Sequence, residues 1–289
     1  MGAVTHIKEE TIMGFSVNTN VSALQAYNNL NNTQNKLQTS LSRLSSGYRI
    51  NNAGDDAAGL SISEGLQAQI SGNQVASRNA QDGISLLQTT DGALTQVQSI
   101  LHRVRDLAVQ AANDSNNDDS RTAIQTEVTQ LASELTRMGG DTNFNGIKLL
   151  DGSGTALTFQ VGAGSDPASD QVVVDLSGAN VNAVGTAIAG LTFNSAANAS
   201  ASIAAVDAQI KSVSTAQATI GATENRFADA VQTLAVTGQN LSAANSRIQD
   251  TDMASEMVNY SQQSILQQAG VSMLAQANAS SQGILKLLG

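Results

Sequence analysis

Residues 203–248 read Ile-Ala-Ala-Val-Asp-Ala-Gln-Ile-Lys-Ser-Val-Ser-Thr-Ala-Gln-Ala-Thr-Ile-Gly-Ala-Thr-Glu-Asn-Arg-Phe-Ala-Asp-Ala-Val-Gln-Thr-Leu-Ala-Val-Thr-Gly-Gln-Asn-Leu-Ser-Ala-Ala-Asn-Ser-Arg-Ile. Stepping alternately by three and four gives Ile203, Val206, Ile210, Val213, Gln217, Ile220, Glu224, Phe227, Val231, Leu234, Gly238, Leu241, Asn245 and Ile248. Ten of those fourteen positions are large and apolar. This is a heptad seam, sustained over enough turns to specify a coiled-coil helix. At 1.5 Å per residue the rod would be about 70 Å long. A narrow apolar seam on such a rod requires partner helices beside it.

Three further stretches supply them. Tyr27, Leu30, Gln34, Leu37, Leu41, Leu44 and Tyr48 form one seam, stopped by Ser45-Ser46-Gly47. Gly47 there is suited to the left-handed position after a helix end. Asp55 and Asp56 are placed to cap a helix running to about Ile70, weakened at Ser71-Gly72-Asn73. A third seam holds Leu87, Thr90, Leu94, Val97, Leu101, Val104, Ala108 and Ala111, widened by Ile84, Ile100 and Leu107. The polar run 113–120 turns the chain, and Ile124, Val128, Leu131, Leu135 and Met138 return it, with Gly139-Gly140 as the expected stop. After Asp250-Thr251-Asp252 a last helix carries Met253, Met257, Tyr260, Ile265, Leu266, Val271, Leu274, Leu285 and Leu288. Between the helical halves, Asn143–Gly146 reads as a turn, and 156–161 with 171–176 as a β-hairpin. Residues 178–202 read as weakly structured.

The fold class is therefore mainly α: a long antiparallel helical, coiled-coil bundle with a small β-hairpin region in the middle. A disordered extension, 1–13, precedes a terminal helical pair, 14–55 with 250–289. A long-helix bundle, 56–249, includes the hairpin and loop region 141–202. The terminal pair has too little apolar area to offset chain entropy alone. Its remaining apolar face is expected to be filled by other copies, in contacts that build an open helical filament.

Composition excludes several classes. Of 289 residues 41% are hydrophobic, but aromatic residues are 3% and Trp is absent, which suits thin bundles filled by Ala, Leu, Ile and Val. Pro167 is the sole proline, so long helices run unbroken on either side. Cysteine is absent, removing disulfides and thiolate metal sites. A net charge of −10 disfavours nucleic acid and anionic membrane as partners. No apolar run is long enough to insert in a membrane, and 1–15 lacks the apolar core of a secretory signal.

Catalytic and metal-binding patterns are not found, and no cofactor is expected. His6 and His102 lie far apart with no second histidine at ligand spacing, and His102 is read as a surface helix residue. Asp114, Asn116 and Asp118 open like a calcium loop, but Asp119 and Gln125 stand where glycine and glutamate are required. Asp55 and Asp56 are read as helix caps rather than as a paired-carboxylate site.

Arg43-Leu-Ser-Ser-Gly-Tyr-Arg-Ile-Asn-Asn-Ala-Gly-Asp-Asp-Ala-Ala-Gly-Leu60, Ser77–Ile84 and Gln88–Leu94 resemble the N-terminal region of bacterial flagellins. Asn240–Asp252, Ile265–Gly270 and Leu274–Asn278 resemble the C-terminal region. The resemblance covers roughly 17–150 and 203–288. It implies a short form of flagellin lacking the variable outer domains. Such a chain would be exported through the flagellum's own type III apparatus and would self-assemble into the extracellular filament used for swimming. The terminal pair would form the inner tube and the long bundle the outer tube. Leu30, Leu37, Leu41, Leu44, Met257, Ile265, Leu266, Val271, Leu274, Leu285 and Leu288 are the expected subunit-interface residues. Implied partners are an export chaperone, the filament cap protein and hook-filament junction proteins. Animal toll-like receptors recognise a patch of the family matched here by Arg103, Leu107, Gln110 and Glu127. Leu107 equally serves as a core residue, and Arg103 as a polymer contact. Residues 1–12 precede the family's usual start, which points to a misassigned start rather than a functional arm. A hook-filament junction protein shares similar terminal helices and is the alternative; a hydrolase domain in the middle is disfavoured because 151–202 is short and holds no histidine.

Overall fold

A computed structural model describes residues 19–153 and 156–288; the side chains of 281 and 284–288 are outside that description. The expectations for 1–13, and for Leu285 and Leu288 as side chains, therefore fall outside it. The elements are α1 (Val21–Ser46), α2 (Ala57–Ala111), α3 (Asp118–Asp141), β1 (Asn143–Phe144), β2 (Ile147–Lys148), β3 (Ala156–Gln160), α4 (Pro167–Asp170), β4 (Gln171–Asp175), α5 (Val181–Ala189), α6 (Ala196–Gln249) and α7 (Met253–Leu288). A 3₁₀ turn, Ser177–Ala179, leads into α5. The chain divides into two compact units: residues up to Gly65 with those from Ala244, and Leu66–Ala243.

In the Leu66–Ala243 unit, α2 and α6 run antiparallel in a fixed register. Gln88 donates to Glu224, Gln98 to Ser214 and Arg105 to Asp207, so each advance along α2 is matched by an equal retreat along α6. The seam of α6 faces inward as its spacing predicts: Val206, Val213, Ile220 and Phe227 are buried, and no seam position is exposed. They meet Leu87, Leu94, Val97, Leu101 and Val104 of α2, with Ile124, Val128 and Leu135 of α3 in the same core. Asn117 caps α3, its side chain accepting from the Ser120 N–H at 2.8 Å.

Three expectations are corrected. Gly139-Gly140 does not stop α3, which continues to Asp141. Gly139 is instead a point of close approach: a Cβ there would lie 2.5 Å from Asn182 Oδ1. Gly72 likewise sits inside an unbroken α2, where a Cβ would come within 2.7 Å of Ala163 Cβ. Both glycines cost helix propensity and gain packing distance. Residues 178–202 are ordered: α5 packs on α3 through buried Val181, Val184 and Ile188, and α6 begins at Ala196, ahead of Ile203.

The 143–148 turn is a two-residue hairpin, with Phe144 opposite Ile147. Asn145 (φ 49°) and Gly146 (φ 81°) take the left-handed backbone that such a connection requires. The expected second hairpin is present as β3–β4, antiparallel from Ala156↔Asp175 to Gln160↔Gln171. Its Phe159 meets Phe227 edge-on, centroids 5.4 Å apart.

Candidate assembly surface

The terminal unit is built on α1 and α7. Asn20 caps α1 by accepting from the Ala23 N–H at 2.9 Å, and Gly47 ends it at φ 77° with its N–H donating to the Arg43 carbonyl. Asp252 caps α7, accepting from Ala254 and Ser255 N–H groups. The helices pack antiparallel: Asn20 donates to the Ala277 carbonyl, Leu30 lies over Gly270, and Arg43 pairs with Glu256 at 3.9 Å. Gly270 permits that approach, since a Cβ there would already sit 3.3 Å from Leu30 Cδ1.

Both helix breaks are tied together. Tyr48 and Asp250 form a β-bridge, the Arg49 N–H donates to the Gln249 carbonyl at 2.7 Å, and the Thr251 N–H donates to the Gly47 carbonyl at 2.9 Å. Arg49 Nη2 donates to the Ile248 carbonyl at 2.7 Å, satisfying one of the carbonyls left over at the end of α6. Arg43 Nε donates to the Arg49 carbonyl at 3.0 Å. Ser63 of α2 sits 2.9 Å from both Asn245 Oδ1 and Gln249 Oε1. This knot combines backbone and side-chain bonds, among them one between residues 199 positions apart in sequence, and periodicity carries no sign of it.

Asp55 and Asp56 divide the work of the 47–56 loop. Asp56 accepts from the Gly59 N–H at 2.9 Å, the cap its position implies. Asp55 Oδ2 accepts from the N–H groups of Asn51 and Asn52 at 3.1 and 3.0 Å. Those two donors, with Arg43 nearby, hold the Asp55 carboxyl below its ordinary value. A depressed carboxylate pKa contributes stability that is present above the unfolded-state value and is lost as pH falls through the folded-state value. The 47–56 loop is therefore expected to loosen on acidification in that range. Asp55→Asn should remove this pH dependence, read as hydrogen exchange at the Asn51 and Asn52 amides; an unchanged acid response in the variant would refute the assignment.

The expected interface residues separate into three sets. Leu30 is 9% exposed, held between α1 and α7, so it serves the pair itself rather than a neighbouring copy. Leu37, Leu44 and Leu274 are half-buried. Leu41, Met257, Ile265, Leu266 and Val271 are exposed, Ile265 at 66%. Met257, Val258, Ile265 and Leu266 form an open apolar stripe along one face of α7, with Ser261 and Gln262. Among the described residues, thirteen of the eighteen exposed large apolar side chains belong to this unit, whereas its buried apolar side chains are Leu30 and Ile50. The unit turns its apolar surface outward.

The second expected patch is also only partly a surface. Arg103 Nε and Nη2 both donate to Glu127 Oε1, at 2.9 and 2.7 Å, and Gln110 is exposed. Leu107 is corrected: at 2% exposure it belongs to the core between α2 and its neighbours and presents nothing to a partner.

The bacterial flagellin N-terminal helical region matches residues 17–155, and the bacterial flagellin C-terminal helical region matches 203–288. The chain is 44% identical over 272 residues to a flagellin of Halalkalibacterium halodurans, covering 94% of this chain and 99% of that one. It is 40% identical over 282 residues to the flagellar filament 30.7 kDa core protein of Treponema maltophilum, at the same coverage. A solved structure described as a flagellar hook-associated protein from Vibrio parahaemolyticus shares the fold, with TM-score 0.54 and 16% identity over 68% of this chain and 100% of that one. With helical regions matched at both ends and close identity along nearly the entire chain, this protein belongs to the bacterial flagellin family.

Proposed function

We propose that this chain polymerises into the extracellular flagellar filament by coupled folding, its α1–α7 pair becoming stably ordered only against other copies. The terminal segments 14–55 and 250–289 act as the inner-tube domain, and 56–249 as the outer tube. The observation that carries the reading is the outward apolar surface of the terminal unit. Ordering backbone costs roughly 1–2 kcal/mol per residue, and one buried leucine with one buried isoleucine offsets little of it. Neighbouring copies supply the missing burial through Leu41, Met257, Ile265, Leu266 and Val271, with Leu37, Leu44 and Leu274 at the margin. The other core, by contrast, is continuous from Ala80 to Phe227 and needs no partner to close it.

Hydrogen exchange compared between dilute monomer and assembled filament tests this. Residues of α1 and α7 are expected to exchange freely in the monomer and to be protected in the filament, while α2, α3 and α6 around Leu94 and Val213 stay protected in both. Strong protection of α1 and α7 in dilute monomer would refute coupled folding without touching the family assignment. The same unpaired apolar face of α7 suits an export chaperone before assembly, and the filament cap and hook-filament junction proteins at the polymer's ends. For an animal toll-like receptor the reading narrows to the exposed Arg103 and Gln110 and the half-buried Glu127.

A further inference from the structure

The tip of the β1–β2 hairpin carries the sequence's one Asn-Gly pair, Asn145-Gly146. Both residues are exposed, at φ 49° and 81°. Among the described residues, neither the Asn145 side-chain amide nor the Gly146 N–H has a hydrogen-bond partner, whereas Asn143 ties its amide to the Asp141 carbonyl at 2.8 Å. We infer that Asn145 is a self-modification site, converting without an enzyme to aspartate and isoaspartate through a succinimide with Gly146.

The chemistry needs only water. The Gly146 backbone nitrogen, on losing its proton, attacks Asn145 Cγ. The Cγ–N bond forms, the Cγ–Nδ2 bond breaks, and ammonia leaves with the proton balance restored by solvent. Water then opens the five-membered ring at one carbonyl or the other, giving aspartate or isoaspartate. Gly146 has no Cβ to obstruct the attack. The left-handed turn must first open so that the nitrogen can swing toward Cγ. That opening is easy, because the hairpin has two pairs, Asn143↔Lys148 and Phe144↔Ile147, and so short a ribbon is marginal by itself. At its base the hairpin is held by half-buried Phe144, by buried Leu149 and by the Leu149 N–H donating to the Thr142 carbonyl at 3.2 Å, which leaves the 145–146 tip free to open.

The related Asp-Gly pairs are locked by comparison. Asp82-Gly83 and Asp91-Gly92 lie inside α2, where helical bonds fix the backbone. Asp151 accepts from the Ser153 N–H at 2.8 Å and from its hydroxyl at 2.6 Å, which holds its carboxyl below the ordinary value and in place. The reaction at Asn145 adds one negative charge to a chain already at −10, on a tip whose neighbour Lys148 donates to the Gly140 carbonyl.

The test is a time course of purified full-length protein in ¹⁸O-labelled water at neutral and mildly alkaline pH, with peptide mass spectrometry and isoaspartyl methyl-acceptor assay. The Asn145 peptide should gain the label at least about tenfold faster than the Asn113-Asp114 and Asn198-Ala199 peptides of the same sample, because those sites lack the unhindered glycine nitrogen. The rate should rise with pH. Phe144→Ala, which frees the hairpin, should accelerate it about two- to fivefold if opening limits the reaction. Labelling at Asn145 no faster than at the reference asparagines overturns the assignment, and an unaltered rate in Phe144→Ala overturns the opening step.

Discussion

Phe227→Ala should lower the stability of the Leu66–Ala243 unit by about 3–5 kcal/mol, the usual loss for a fully buried phenylalanine. Phe227 is 0% exposed and meets two other elements at once. Its ring stands edge-on to Phe159 of β3, at an interplanar angle of 85°. It also lies against Gly83 of α2, where a Cβ would sit 2.9 Å from the ring's Cζ. The ring thus fills a slot that α2 leaves open by carrying glycine, and joins the β3–β4 hairpin to the helices. Alanine would leave a cavity that the long rods cannot close, because closing it would shift the register set by Gln88–Glu224 and Gln98–Ser214. Chemical denaturation followed by far-ultraviolet dichroism reads the loss. Val236→Ala, on the same helix but 54% exposed, should change stability by less than about 0.5 kcal/mol. A loss below about 1 kcal/mol for Phe227→Ala would mean that the ring is not the keystone its burial implies.

The same residue shows why the fold was legible. Phe227 occupies a position of the heptad series that starts at Ile203, and all fourteen members of the series are buried or half-buried. A 46-residue repeat admits one helical reading, and helices of that length can bury a stripe only against other long helices. Caps at Asp56 and Asp252 are local chemistry and appear where the sequence places them, and Asn117 caps α3 from within the polar run 113–120. Gly72 and Gly139 were opaque because their reasons lie far along the chain, at Ala163 and Asn182. The α5 helix did leave a trace: Asn180 as its cap, then Val181, Val184 and Ile188 at helical spacing. The surrounding Ala, Asn and Gly masked it.

The assembly surface was legible only as a set of helices. Leu30 and Leu41 share one heptad seam, yet one is 9% exposed and the other 55%. A seam gives the apolar face of a helix but not which part of it α7 covers and which part stays exposed. Gly270 decides that for Leu30, and nothing in the α1 pattern points to a glycine near the far end of the chain. Leu107 shows the converse: one residue matched a surface motif and a core stripe equally, and burial assigns it to the core.

Ile265→Asp should abolish filament formation while leaving the Leu66–Ala243 unit folded. Ile265 is 66% exposed, beside Leu266 at 46%, on the open apolar face it shares with Met257 and Val258. If a neighbouring copy covers that face, burying the isoleucine contributes about 1.5–3 kcal/mol per subunit. An aspartate there forfeits that gain and adds an unpaired charge in an apolar contact, which costs several kcal/mol more. With each 1.4 kcal/mol worth a factor of ten, the critical concentration should rise by more than about a hundredfold. Seeded polymerisation followed by sedimentation and negative-stain microscopy measures it. Ile265→Leu, which keeps the apolar volume, should polymerise near the wild-type concentration. Thermal unfolding should show the Leu66–Ala243 transition unmoved in both variants, because Ile265 belongs to the other unit. Long filaments from Ile265→Asp at the wild-type critical concentration would show that this face of α7 meets water in the polymer, and that the terminal pair finds its missing burial elsewhere.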